Sequence, residues 1–267
     1  MKNLKPPAAL FLITVASGMM MGSSSLLPLG LGLSLFIPAL FIYSYINGGA
    51  PITLLSLAIA VIVILAANRD AVLDVTSIAL LGPVYLLLKR TGVSAAVLGG
   101  AFLLTLFTAL EEMLIGLPPE VKKEFAQVSN YRYSLYFLSS AIYSTFTYGV
   151  ANWIVKELPP VTEIRFGFWN VVLFTLSAIA TLLGKGDLKI VAVNILLASI
   201  TLFIVQGISV FLWFFPKLST TWKLITGLLI FIFPPGFFLT TLFLGLLDQK
   251  LNFRKLKGGK EDGGNPS

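Results

Sequence analysis

Two stretches toward the carboxyl end, 190–215 and 222–247, are almost wholly apolar. Each exceeds the roughly 20 residues that a helix needs to cross a hydrocarbon core. Lipid offers no water to an unpaired backbone group, so a spanning stretch must be a helix or part of a closed barrel. Seven further apolar stretches precede them, at 8–22, 29–46, 52–67, 71–88, 93–116, 133–155 and 166–183. The short alternating segments of a transmembrane barrel are missing. The expected fold is therefore all-α, a polytopic transmembrane helical bundle of eight or nine hydrophobic segments. It fills 1–257 as one domain, and the polar, glycine-rich 258–267 is expected to be a disordered cytoplasmic tail.

Composition narrows the chemistry. Hydrophobic residues make up 57% of the chain and charged residues 12%, whereas soluble domains carry about 25% charged residues. Cysteine and histidine are absent. That excludes disulfides, thiolate metal sites, histidine-ligated haem, serine–histidine triads and histidine proton relays. There is no Walker A loop, kinase signature or HExxH pair. No metal, cofactor or enzymatic activity is expected, and active transport would draw on an ion gradient or on a partner. The net charge of +7 sits mostly in loops and tail, where it sets topology and attracts anionic lipid. Nucleic acid is not an expected partner, because no basic, aromatic-interleaved soluble module exists.

Loop charge orients the bundle. From Arg69 onward, one side collects Arg69, Lys122, Lys123, Arg132, Lys185, Lys189 and the cations from Lys250 to Lys260. The other collects Lys89, Arg90, Lys156, Arg165, Lys217 and Lys223. The richer side is the cytoplasmic one, so the chain is expected in the cell membrane with its carboxyl terminus in the cytoplasm. Nine full crossings would leave Lys2 and Lys5 outside. Eight crossings result if 8–46 crosses once as a broken or re-entrant pair, or if a later segment fails to cross; eight is the expectation. The polar interlude 117–132 suits a short helix lying on the membrane.

Ionisable groups at membrane depth mark functional sites by default. Glu111 and Glu112 lie deep in the fifth stretch. Adjacent helix residues point about 100° apart, so the two cannot face one partner. Either one faces a cavity and binds a cation or proton, or the helix ends at Leu110 and both are interfacial. Asn194 and Gln206 lie roughly 18 Å apart along a helix, too far to hold one small group. They read as cavity lining or as interhelical hydrogen-bonding amides, and Asn152 reads the same way. Tyr143 and Tyr148 belong to a stretch rich in tyrosine and hydroxyls, which either lines a polar cavity or lies at the interface.

Pro234-Pro235 remove two backbone donors in mid-span. The outcome is a kink, or a broken helix of the kind at which transporters bind substrate. Gly18 and Gly22 put small residues on one face of the first helix, for packing within the chain or for docking a membrane partner subunit. Asp248 and Arg254, just past the last span, are expected to form an ion pair at headgroup level.

Several short motifs recur together: Asn194-Ile-Leu-Leu, Leu202-Phe-Ile-Val-Gln206-Gly207, Gly245-Leu-Leu-Asp248, and Phe253-Arg254-Lys255. With Gly82–Gly92 and Ala151-Asn152 ahead of Leu158-Pro159-Pro160, they resemble the YybS-like family of bacterial membrane proteins. The resemblance spans most of 8–255 and implies a polytopic architecture; no catalytic residue carries over. More distantly, 8–116 is similar to the substrate-binding subunits of energy-coupling-factor vitamin transporters and to the MreD type of cell-shape protein. The vitamin-binding subunits show an alanine-xxx-alanine face on helix one, where this chain has Gly18 and Gly22 at a different depth.

The expected function is a small-molecule binding or transport component without its own ATPase. Its partners would be the lipid bilayer, a small-molecule substrate and a membrane subunit. The rival reading is a scaffold for cell-envelope, cell-shape or division machinery.

Overall fold

The computed structural model describes residues 5–114, 116 and 126–254. Its regular elements are all helical, with no strand among the described residues. Residues 117–125 of the expected surface helix, and the tail from 255 onward, lie outside the described residues. Five helical runs are long and apolar enough to cross a membrane: Leu27–Gly48, Ala50–Ala67, Arg69–Leu88, Val93–Leu114 and Gly186–Lys217. Lys5–Met21 and Trp169–Leu183 are apolar but shorter. These helices fit an integral membrane protein.

The chain packs as two compact units, Met1–Pro160 and Val161–Ser267. The first holds α1 (Lys5–Met21), α2 (Leu27–Ser34), α3 (Ile37–Gly48), α4 (Ala50–Ala67), α5 (Val72–Leu88), α6 (Val93–Leu114) and α7 (Arg132–Ile154). The second holds α8 (Trp169–Leu183), α9 (Gly186–Phe214), α10 (Thr220–Ile232) and α11 (Pro234–Leu251).

Proline sets where helices begin. It lacks an N–H, and the first helical turn needs none, so its fixed φ favours that position. Pro28, Pro38, Pro51 and Pro234 all occupy the first turn of a helix, in α2, α3, α4 and α11. The apolar stretch 29–46 is accordingly two helices, parted just before Pro38. The stretch 222–247 is likewise broken: α10 ends at Ile232, Phe233 leaves helical geometry (φ −134°, ψ 68°), and α11 restarts at Pro234. Gly49 makes the turn between α3 and α4 with φ 81°, a value that side-chain-bearing residues rarely adopt.

In the first unit the core forms around Leu10, Ile37, Ile42, Ile64, Leu81 and Tyr85, all fully buried. Gly18 and Gly22 face the side chains of Ile64 and Asn68 at the end of α4. Asn68 Nδ2 also donates to the Gly18 carbonyl at 2.7 Å. This small-residue face is thus used within the unit, to bring α1 against α4.

In the second unit α9 packs on α11 through bare backbone. A Cβ on Gly207 would overlap the Thr241 carbonyl, and one on Gly245 would overlap the Phe203 carbonyl. Small residues at such contacts let helices approach closely enough for dense van der Waals packing. Gly245→Ala should therefore force the helices apart and destabilise the protein by about 1–3 kcal/mol, the usual range for overpacking. Gly32→Ala is the matched control, because its added methyl meets nothing within 4 Å. Thermal melts in detergent should show a lower midpoint for Gly245→Ala and no loss for Gly32→Ala.

Candidate functional site

Each unit carries its own polar system. In the first, a broadly open cavity of about 240 Å³ is lined by Leu31, Asp74, Ser77, Ile78, Leu104, Thr108, Ser139, Ser140 and Tyr143. Helical spacing assembles it. Asp74, Ser77 and Ile78 share one face of α5, Leu104 and Thr108 one face of α6, and Ser139 and Tyr143 one face of α7. α2 contributes Leu31. Asp74 is the single charged group in this lining and sits in the first turn of α5, where the helix dipole favours a carboxylate.

Most hydroxyls around Asp74 have committed protons; that of Ser140, also in the lining, is free to donate. Ser77 Oγ donates to the Asp74 carbonyl at 2.7 Å, Thr108 Oγ1 to the Leu104 carbonyl at 3.0 Å, and Ser139 Oγ to the Tyr136 carbonyl at 3.0 Å. Tyr143 Oη is hydrogen-bonded to Ser34 Oγ, and Ser34 Oγ in turn donates to the Leu31 carbonyl at 2.7 Å. A hydroxyl has one proton, so within this chain Tyr143 is the donor to Ser34.

Glu111 and Glu112 lie in the last turn of α6, which continues past Leu110 to Leu114. They go different ways. Glu112 accepts from Arg132 Nη1 at 2.7 Å and from Tyr136 Oη at 3.3 Å. Glu111 lies on the side of Asp74 and Asp70, within electrostatic range of both. Tyr148 and Asn152 hold a loop: Tyr148 Oη donates to the Pro159 carbonyl at 3.0 Å and Asn152 Nδ2 to the Leu158 carbonyl at 2.9 Å. Beside them, Tyr85 ties α5 to α7. Its Oη lies 2.9 Å from the Ser144 carbonyl and 2.6 Å from Thr147 Oγ1, and its ring meets Tyr148 edge-on at 5.0 Å.

In the second unit a hydrogen-bond network surrounds Asp248, which is fully buried. Gln206 Nε2 donates to Asp248 Oδ2 at 2.8 Å, and the Phe253 amide donates to Oδ1 at 3.1 Å. Arg254 Nη2 lies 3.3 Å from Oδ2. A carboxylate only accepts, which fixes the Gln206 amide with its nitrogen toward Asp248. Its oxygen then accepts from the Phe166 amide at 3.1 Å and from Gln249 Nε2 at 2.9 Å. Arg254 Nη1 reaches the Ile164 carbonyl at 3.0 Å. Burial lowers the Arg254 guanidinium below its ordinary pKa, and the Asp248 carboxylate opposes that shift. The chain can make this closure because Asn252 turns into the left-handed region (φ 46°) at the end of α11, a role asparagine tolerates.

The other candidates stand apart from both systems. Asn194 Nδ2 donates to the Ile190 carbonyl of its own helix at 3.0 Å. Pro234 and Pro235 begin α11, both exposed. Sequence reasoning missed Asp74, whose only signal is its i, i+3 pairing with Ser77 inside an apolar run. It also missed Gln249, which follows Asp248 directly. No protein-family model, curated protein or solved structure matches the chain.

Removing one member of a buried ion pair leaves its partner uncompensated and costs about 3–5 kcal/mol. Asp248→Asn should therefore destabilise strongly, and Arg254→Met less, since Arg254 is at the edge of the network. The double variant should lose less than the sum of the singles, a coupling that chemical or thermal denaturation in detergent would measure.

Proposed function

We propose that the protein is a non-enzymatic integral membrane component that binds or transports a small molecule, with no ATPase of its own. The observation that carries this reading is the cavity around Asp74, a carboxylate among hydroxyls in helices otherwise apolar. Carboxylates in such surroundings mark solute or ion pathways. The reading of a scaffold for envelope, cell-shape or division machinery calls instead for an exposed small-residue face. Gly18 and Gly22 are turned onto α4, which favours the solute reading. The YybS-like resemblance belongs to the same proposal. It draws support from the meeting of Gln206, Asp248 and Arg254, three of its motif residues, in one network.

Thermal-shift screening of the detergent-purified protein against vitamins, nucleobases, amino acids, amines and ions tests the reading. A ligand at 100 times its Kd stabilises by about 2.7 kcal/mol through mass action. Ser139→Phe, which fills the mouth of the cavity, should abolish the ligand-induced rise and keep the unliganded midpoint. Absence of any shift, with membrane proteins copurifying instead, would support the scaffold.

For topology we propose eight crossings of the cell membrane with both termini cytoplasmic. The loop-charge asymmetry supports it. So does the way short α1 turns back onto α2, where Ser17 Oγ donates to the Gly30 carbonyl at 2.9 Å. The chain has no cysteine, so single cysteines at positions 3 and 262 can be labelled in intact cells. Neither should react with an impermeant maleimide until the membrane is opened.

A further inference from the structure

Resting on the reading of the Asp74 cavity as a solute site, we infer that its ligand is a small protonated amine. The lining offers acceptors. Ser77, Thr108 and Ser139 each direct their proton to a backbone carbonyl of their own helix, and Tyr143 directs its own to Ser34. What these four oxygens retain for a ligand is lone pairs, and Ser140 adds a hydroxyl that can accept or donate. The single charged group in the lining is the Asp74 carboxylate, which also only accepts. The lining contains no lysine, arginine, amide or indole.

A ligand complementary to this set brings both positive charge and several N–H donors. A primary ammonium has three donors around one charge. Anions meet a carboxylate with no compensating cation. A neutral acceptor such as a ketone or ether finds one donor, the Ser140 hydroxyl, and leaves the Asp74 carboxylate without a partner. A bare divalent ion fits poorly too: among the described residues no group of three or more carboxylate, histidine or cysteine side chains converges on one point.

Size and shape narrow the class. The cavity's 240 Å³ is broadly open and seats the head of a ligand and its first carbons, below the roughly 300–1,000 Å³ of sites that enclose drug-sized ligands. Leu31, Ile78 and Leu104 supply apolar surface beside the acceptors. The arrangement suits a short aliphatic chain carrying an ammonium head. Glu111, within electrostatic range of Asp74 and of Asp70, extends the negative field that would draw a cation in.

The test is a titration of the full-length detergent-purified protein, read by calorimetry and thermal shift at pH 7. The probes are primary mono- and diamines of three to six carbons, tetramethylammonium, n-butanol, butyrate and sodium chloride. Primary amines should bind, and Asp74→Asn should weaken them at least tenfold. Thr108→Val, which keeps the shape and removes one acceptor, should weaken them about threefold. Asp187→Asn, on the exposed first turn of α9, should leave binding unchanged. Tetramethylammonium has the charge without N–H donors and should bind at least tenfold more weakly than the amines.

Equal binding of tetramethylammonium and the amines, or tighter binding of sodium, butanol or butyrate, would overturn the amine assignment and leave a solute site in place. A response to none of these probes, nor to the wider solute panel, would overturn both the assignment and the binding reading beneath it.

Discussion

A hydroxyl in an apolar surrounding gains from an acceptor, and many in this chain find it one turn back on the same helix. Thr14, Thr53, Thr105, Thr108, Thr145, Thr175, Thr201 and Thr240 each donate to the carbonyl four residues earlier. Ser77, Ser139 and Ser177 donate to the carbonyl three residues earlier. The rule lets polar side chains sit on membrane-length helices without a cross-chain partner. It also polarises what they show to their surroundings, because a hydroxyl whose proton is taken presents only oxygen. The character of the Asp74 cavity follows from that local rule.

The two units treat their acidic centres in opposite ways: Asp74 is exposed and Asp248 fully buried. In the first, a carboxylate is left facing an open space with acceptors around it. In the second, Asp248 accepts hydrogen bonds from Gln206 and Phe253 and pairs with the Arg254 charge, and the Gln206 and Gln249 amides and Arg254 Nη1 close on the 164–166 loop. A carboxylate near a helix C-terminus is unfavourable to the dipole. Here these donors offset that. The carboxylate at its centre is fully engaged, while Arg254 Nε and Nη2 are buried without a hydrogen-bond acceptor.

Much of the helical layout was legible, because it is written in long apolar runs and local punctuation. Asn47-Gly48-Gly49-Ala50-Pro51 reads as a turn and is one, and Pro234 reads as a break and is one. The split of 29–46 was not read, since Pro38 can kink a helix or begin one, and only the neighbouring packing decides. The Asp248–Arg254 pair is local and was expected, whereas its burial depends on Gln206, 42 residues away. Asp74 escaped notice because one acidic residue at a helix start has an ordinary explanation in the dipole. Its meaning comes from α6 and α7, which no spacing within α5 reports. Tyr148 and Asn152 were grouped with the cavity by composition; their actual partners, the carbonyls of Pro159 and Leu158, are backbone atoms and carry no sequence signature.

The seam between α9 and α11 is closed by main chain on main chain, at Gly207 and Gly245. A seam built from side chains can absorb a substitution by shifting a rotamer. This one has no adjustable part, so every replacement at either glycine must move a whole helix. In a mutational survey the two positions would be as intolerant as any residue that grips a solute, although they perform no chemistry. Sensitivity there measures clearance alone, and a map of function drawn from loss of activity would mistake a spacing requirement for a binding site.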